Sequence, residues 1–321
     1  MLILLWGLES DPPLAEVRDQ LELLGVPMLF VDQRRVLETE IEITVGDTVE
    51  GFLRVGEDSI DLAEVTAMYV RAYESVRLDH IAVDGPGSAA WNHAEQVDDI
   101  LASWSELTSS LVVNRFSASA ANGSKPYQLS QIHKLGWNIP ETLVTTDPEE
   151  ALAFWGRHGD VIYKSVSAIR SRVCRLNPEH VPRFADLAWC PTQFQQYIDG
   201  VDYRVHVVGE KVFACEVKSS ADDYRYSTDA PQISAFALPP EIEHRCKATA
   251  GAMNLSIAGL DLRRTHGGEW FCFEVNPSPA FTYYEQITGQ PIGQALALLL
   301  IEGAEDTATE SQYELSRSAG L

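Results

Sequence analysis

A chain of 321 residues, 45% of them hydrophobic, is long enough for two or three packed modules. Its 24 Lys and Arg against 47 Asp and Glu leave a net charge of −23, which argues against a nucleic-acid binder while allowing local basic pockets. No apolar run is long enough to span a membrane and five scattered cysteines lack a C-x-x-C, so reduced, buried thiols in a cytoplasmic protein with no membrane partner are expected.

The apolar run Leu2–Trp6 reads as a buried strand ending at Gly7. Pro12 and Pro13 open a helix, Gly25 ends it, and Met28–Val31 is the next strand. This β-α-β start predicts a parallel sheet. Gly7-Leu8-Glu9-Ser10 lacks the G-x-G-x-x-G spacing, so no dinucleotide site is expected. Ile41–Thr44, Thr48–Val55 and Val65–Val70 read as further strands. Arg71 follows the last of them. A basic residue at that end of a strand can line a cleft, although such a residue is more often a plain surface arginine.

Trp91–Leu107 has helical spacing, Leu111–Val113 is a short strand, and the small-residue loop Ser117–Ser124 marks a boundary. The expected division is 1–115, 116–192, 193–302 and a mobile, acidic tail over 303–321. Ser124 is placed as N-cap of a helix starting at Lys125-Pro126, and Asp147 as cap of another. Val161–Ser165 is a strand carrying Lys164, followed by Arg170 and Arg172. Thr192–Ile198, Asp202–Val208 and Lys211–Val217 read as strands, and Pro239–Ala252 as a helix.

The stretch 258–279 organises the rest. Ile257–Leu262 and Glu269–Val275 are strand-like, and the Gly267-Gly268 pair between them is a hairpin turn signal. Such a hairpin sets Asp261 near Glu274 and Asn276, which share a strand face. Two carboxylates and an amide are hard oxygen donors that suit Mg²⁺, an ion that usually shares its shell with substrate phosphates. The plainer alternative is a surface hairpin with solvated acids.

In order, Asn114 with Ser124-Lys125-Pro126, Val161–Lys164, Gln195-Gln196-Tyr197-Ile198, Asp202-x-Arg204, Gly259-Leu260-Asp261 and Glu274-Val275-Asn276-Pro277 resemble the ATP-grasp carboxylate–amine ligases. Within them the chain resembles the branch of ribosomal-protein glutamate ligases and graspetide (microviridin-type) macrocyclases, and most the latter. The resemblance implies an α/β ATP-grasp fold: an N-terminal pre-ATP-grasp α/β domain, a central domain and a C-terminal domain, with ATP between the last two. It implies ATP and Mg²⁺, taken as two ions, as cofactors. Lys125 and Lys164 match phosphate-contacting lysines, and Gln196, Tyr197 and Ile198 match the adenine segment. Asp202 matches a ribose-contacting acid, with Arg204 facing the same way. Asp261, Glu274 and Asn276 match metal ligands, and Arg225 matches the basic residue facing the transferred phosphate. One departure is the stretch after Lys164, Ser165-Val-Ser-Ala-Ile-Arg-Ser-Arg172, which has no glycine where many ATP-grasp enzymes are glycine-rich.

The implied reaction is ATP-dependent activation of a carboxylate as an acyl phosphate, then attack by an amine or hydroxyl. The implied partner is a precursor peptide, a leader with an acidic core, held by Arg71, Arg170 and Arg172; a homodimer is left open. Two other readings stand beside it. One is a ligase adding an amino acid to a protein tail or small metabolite. The other is a nucleotide-binding regulator without catalysis.

Overall fold

The computed structural model describes residues 1–165, 173–218 and 231–318. β1 (Leu2–Gly7) and β2 (Met28–Asp32) pair in parallel around the Pro12–Leu23 helix. Asp11 caps that helix, its carboxylate accepting from the Leu14 amide at 3.0 Å. β3 (Thr39–Val45), β4 (Val49–Val55) and β5 (Asp58–Asp61) form an antiparallel meander of their own. β6 (Val65–Arg71) then returns beside β1, and β7 (Leu111–Val113) pairs with β6, both in parallel. Strands buried on both faces explain the near-continuous apolar runs. Leu101 and Trp104 of the Ala89–Leu107 helix join Leu4, Trp6 and Met68 in one core, while Leu296 and Leu300 of the Ile292–Ser318 helix join Ile3, Leu5 and Tyr69 in another.

That last helix runs into the stretch expected as a tail: the described residues from 303 on continue it to Ser318. Ala304 is buried, and Leu111 packs so closely over Gly303 that a side chain there would collide with it. Small residues that look like low complexity in the sequence are the seats on which the helix meets the sheet.

β8 (Thr142–Thr145), β9 (Val161–Ser165), β10 (Cys174–Arg175) and β11 (Thr192–Gln196) make an antiparallel sheet in the order β10-β9-β11-β8. Phe154, Val161, Phe184, Leu187 and Phe194 form its separate core. β11 therefore belongs to the second unit, and the expected boundary at 192/193 falls at its start. β12 (Val201–Val208), β13 (Lys211–Lys218), β14 (Gln232–Phe236), β15 (Ile257–Arg264) and β16 (Trp270–Asn276) form an antiparallel sheet in the order β14-β13-β12-β15-β16. The Pro240–Ala252 helix packs on it through Cys246 and Ala250. Ile132 and Trp137 join the same core, so the Lys125–Lys134 helix packs with the third sheet, not the second. Cys215, Cys246 and Cys272 are buried free thiols as expected, whereas Cys190 is exposed and Cys174 half-buried. Burial pushes Cys215 up to about 11 and Cys246 up to about 12, so both stay protonated. Among the described residues no helix is long and apolar enough to cross a membrane.

Candidate active site

The hairpin forms at the expected place, with Thr265 and Glu269 closing the turn by a backbone bond of 2.9 Å. Asp261 pairs across the ladder with Glu274, and Gly259 with Asn276. The register shifts just after Asp261, because Leu262 pairs with Cys272 and leaves Phe273 as the extra residue of a bulge. Strict alternation would send Phe273 and Glu274 to opposite faces. The bulge instead brings Phe273, Glu274 and Asn276 together on one cleft, while Cys272 and Val275 are buried behind. The side chain of Asn276 is held by the Ser278 amide, which donates to its Oδ1 at 2.9 Å.

The cleft, about 420 Å³, lies between the second and third sheets. Ile162 and Lys164 of β9 and Gln195 of β11 line one wall; Asp202, Arg204, Asp261, Arg263, Glu274 and Asn276 line the other. Tyr197, in the connector between the sheets, lines it as well. On the floor, β12 and β15 form two consecutive same-face rungs of opposite polarity. Asp202 of β12 pairs with Arg263 of β15, and Arg204 of β12 with Asp261 of β15. The first rung is a fork, Arg263 Nε to Asp202 Oδ1 at 2.6 Å and Nη2 to Oδ2 at 2.9 Å. In the second, Arg204 Nη1 donates to Asp261 Oδ1.

Gly259 is needed for that second rung. A Cβ there would lie 2.6 Å from Arg204 Nη2 and 2.7 Å from Pro279 Cβ. Beneath Arg204 on the same face of β12, His206 is fully buried and its ring centroid stands 5.3 Å from that of Tyr284. Its Nε2 has no hydrogen-bond partner among the described residues. Burial, reinforced by the Arg204 charge, holds this imidazole well below its usual range and therefore neutral.

β16 is fixed from outside its own sheet. Gln128 Nε2 donates to the Val275 carbonyl at 2.7 Å, and its Oε1 accepts from the Val275 amide at 3.2 Å. Asn114 Nδ2 donates to the carbonyls of Ile257 at 2.7 Å and Pro277 at 2.6 Å, and its Oδ1 accepts from Ser256 at 2.8 Å. Gln128, Arg263 and His206 did not stand out in the sequence. Their roles arise from partners 147, 61 and 78 residues away in the chain for the first two bonds and the last ring contact.

The structure gathers Lys164, Tyr197, Asp202, Arg204, Asp261, Glu274 and Asn276 at one cleft. It places other expected residues elsewhere. Gln196 is on the opposite face of β11 from Gln195, its Oε1 accepting from the Glu141 amide at 3.4 Å, so Gln195 is the glutamine of this segment that faces the cleft. Ile198 is buried and presents its carbonyl to Arg263 at 2.8 Å. Lys125 is half-buried at the start of its helix and outside the cleft lining; Ser124 precedes it without a side-chain capping bond. Arg71 is a tie, not a groove residue. It forks onto Asp11 at 2.6 and 3.1 Å and donates to Ser278 Oγ at 2.8 Å, joining β6 to the exit of β16. Arg170, Arg172 and Arg225 lie outside the described residues.

The three donor groups fit a hard divalent cation. All are oxygens, two carry charge, and they converge from adjacent strands on one wall.

Comparison with known proteins agrees with this fold. Residues 188–300 match the model of the RimK-like ATP-grasp domain. A probable alpha-L-glutamate ligase of Photobacterium profundum is 35% identical over 126 residues, 37% of this chain and 42% of that protein. The chain thus matches about two fifths of the length of such curated relatives. The ATP-grasp ligase PsnB, solved with a phosphomimetic variant of its minimal precursor, Mg and ADP, superposes with a TM-score of 0.79 at 25% identity, over 94% of this chain and 98% of that one. The macrocyclase MdnC of Microcystis aeruginosa, bound to its precursor peptide MdnA, gives 0.80 at 21% identity over 94% and 100%.

Proposed function

The chain has the ATP-grasp fold with a RimK-like ATP-grasp domain, and on that premise we propose that it is an ATP-dependent, ADP-forming carboxylate ligase. The observation that carries the reading is the cleft itself: a lysine on one wall faces two carboxylates and an amide brought together by a bulge on the other. A carboxylate is a poor acyl donor because its oxygen leaves badly. Transfer of the γ-phosphoryl group to that oxygen releases ADP and leaves an acyl phosphate. An amine or hydroxyl then attacks the carbonyl carbon, loses its proton, and expels phosphate.

In this chain Lys164 presents a compact cation to phosphate oxygens. Ile162, Val173, Tyr197 and Phe273 supply an apolar slot for a base. Asp261, Glu274 and Asn276 would hold Mg²⁺, which when bound offsets the negative charge of the phosphates. Arg204 orients Asp261 through their ion pair. Arg225 is the proposed cation beside the transferred phosphate.

The substrate we propose is a ribosomal precursor peptide whose Asp or Glu side chains are joined to Ser, Thr or Lys side chains. Similarity over nearly the whole chain to ligases solved with precursor peptides supports it. A second reading, addition of an amino acid to an acceptor, is favoured by the sequence match to glutamate ligases. Incubating the protein with ATP, Mg²⁺ and an acidic, Ser/Thr-rich peptide separates them by mass: loss of water within one peptide marks cyclisation, and gain of a residue marks addition. No ADP release with any carboxylate would overturn both.

A further inference from the structure

Three side chains hold β16 and its exit from outside the sheet, and Arg71 does so differently from the other two. Gln128 and Asn114 grip backbone groups, those of Val275 and the Pro277 carbonyl. Arg71 reaches Ser278, donating from Nη1 to its Oγ at 2.8 Å and to the Pro279 carbonyl at 3.2 Å. The Ser278 amide in turn donates to Asn276 Oδ1 at 2.9 Å. A donor on that oxygen opposes the amide flip that would put an NH2 group, which no cation binds, in its place. The tie from Arg71 thus ends on the side chain of a proposed metal ligand.

The other end of the tie is fixed as well. Asp11 caps the Pro12–Leu23 helix through the Leu14 amide and accepts the Arg71 fork on both oxygens, which sets the plane of the guanidinium. The Arg71 side chain is 10% exposed and that of Asp11 26%. An ion pair so far from water is a weak source of stability and a strong constraint on orientation. Between Ser278 and Asn276 the chain is stiff. Pro277 and Pro279 have locked φ angles, and each restricts the residue before it, Asn276 and Ser278, to extended backbone. A shift of Ser278 is therefore passed on to Asn276.

We propose that Arg71 is a positioning residue for the divalent cation: through Ser278 it holds the Asn276 oxygen at the site, so that the end of the N-terminal sheet sets the affinity of the cleft for metal. The proposal rests on Asp261, Glu274 and Asn276 holding Mg²⁺. Its sign is opposite to that of charge alone. Arg71 is itself a cation, and its removal leaves the Asp11 carboxylate without that partner, so electrostatics alone would tighten the binding of a divalent cation. Lost positioning loosens it.

The test is calorimetric ATP binding to the full chain as free Mg²⁺ is raised from chelator to saturation, for wild type, Arg71→Met and Ser278→Ala. Wild type should bind ATP more tightly as Mg²⁺ rises. Arg71→Met should move the midpoint of that rise to Mg²⁺ concentrations about tenfold or more higher, the usual cost of losing a group that orients a metal ligand, with ATP affinity in chelator unchanged. Ser278→Ala removes the Oγ acceptor, keeps the amide that holds Asn276, and should give a smaller shift in the same direction. An unchanged midpoint or a shift to lower Mg²⁺ overturns the proposal. So does a loss of ATP affinity that is equal with and without Mg²⁺, the mark of a purely structural role. Should Arg71→Met melt below the assay temperature, Ser278→Ala carries the comparison: a shift to higher Mg²⁺ supports the proposal and an unchanged midpoint overturns it. A wild type that binds no ATP, or binds it without regard to Mg²⁺, overturns the ligase or the metal reading itself, and this proposal with it, an outcome distinct from a midpoint that stays in place.

Discussion

The wall carrying Asp261, Glu274 and Asn276 is bonded to the rest of the molecule from three sides. Asn114 reaches it from the end of β7, Gln128 from the Lys125–Lys134 helix, and Arg71 from the end of β6. The wall carrying Lys164 is built differently. Its core of Phe154, Val161, Phe184, Leu187 and Phe194 is its own, and its polar cleft residues come from β9 and β11 within one small sheet. The difference matches the demands of the roles proposed for the two sets of groups. Oxygen ligands converging on a cation need fixed mutual geometry. A lysine that meets phosphate oxygens as a point charge tolerates a looser placement. Substitutions on the two walls should therefore fail in different ways.

The largest effect is expected on the anchored wall. Glu274→Gln keeps shape and removes one of the two charges proposed to hold the metal. ADP release should fall by about a hundredfold or more, with a melting temperature close to wild type, because the catalytic charge is lost and the packing is not. Near-normal turnover at limiting Mg²⁺ would remove Glu274 from the metal site. On the other wall, Lys164→Ala should weaken ATP binding by about 1.5–3 kcal/mol, the range of a charge-assisted contact, without collapsing stability. Unchanged ATP affinity with a collapsed melting temperature would make Lys164 structural and erase the contrast between the walls.

Gly259→Ala sharpens the same comparison from behind the anchored wall. The added methyl must displace the Arg204 guanidinium or Pro279, since contacts of 2.6 and 2.7 Å are too short to keep. Overpacking of this kind costs about 1–3 kcal/mol, so the melting temperature should drop together with Mg²⁺-dependent turnover. A variant that loses neither would show that Arg204 needs no fixed seat.

Much of this was legible in the sequence, and the reasons for the gaps are physical. The hairpin could be read because a Gly-Gly turn and a two-residue spacing of polar groups are local signals. The bulge at Phe273 could not, because alternation of Phe271, Cys272 and Phe273 looks regular until the partner strand is known. Gln195 and Gln196 differ only in strand parity, which the paired strands β8 and β9 decide. The Asp202–Arg263 fork depends on the register of β12 against β15, and the Gln128 bonds on a helix packing over a strand 147 residues later. The helix through residues 303–318 could not be read from a composition that is acidic and small, because the seats at Gly303 and Ala304 depend on Leu111 and the N-terminal sheet.

The smallest expected effect belongs to His206, and it reports on how dry the anchored wall is. Its imidazole is fully buried below Arg204 and is held neutral by burial and then by that charge. The folded state therefore binds a proton at this site less readily than the unfolded state, whose histidine titrates near about 6.5. The stability tied to the neutral ring is fully present above that pH and is lost as pH falls below it, by at most about 1.4 kcal/mol per pH unit. His206→Leu removes this one term and leaves the other seven histidines of the chain in place. It also removes an Nε2 without a partner among the described residues, so the cost at pH 8 should be small. Melting curves of the two proteins from pH 8 to pH 5.5 should then converge or cross on acidification, the variant gaining on wild type below about pH 6.5. A gap that stays constant over that range would mean that the ring takes up its proton in the folded state, and that water or a counter-charge reaches the underside of the Arg204–Asp261 rung.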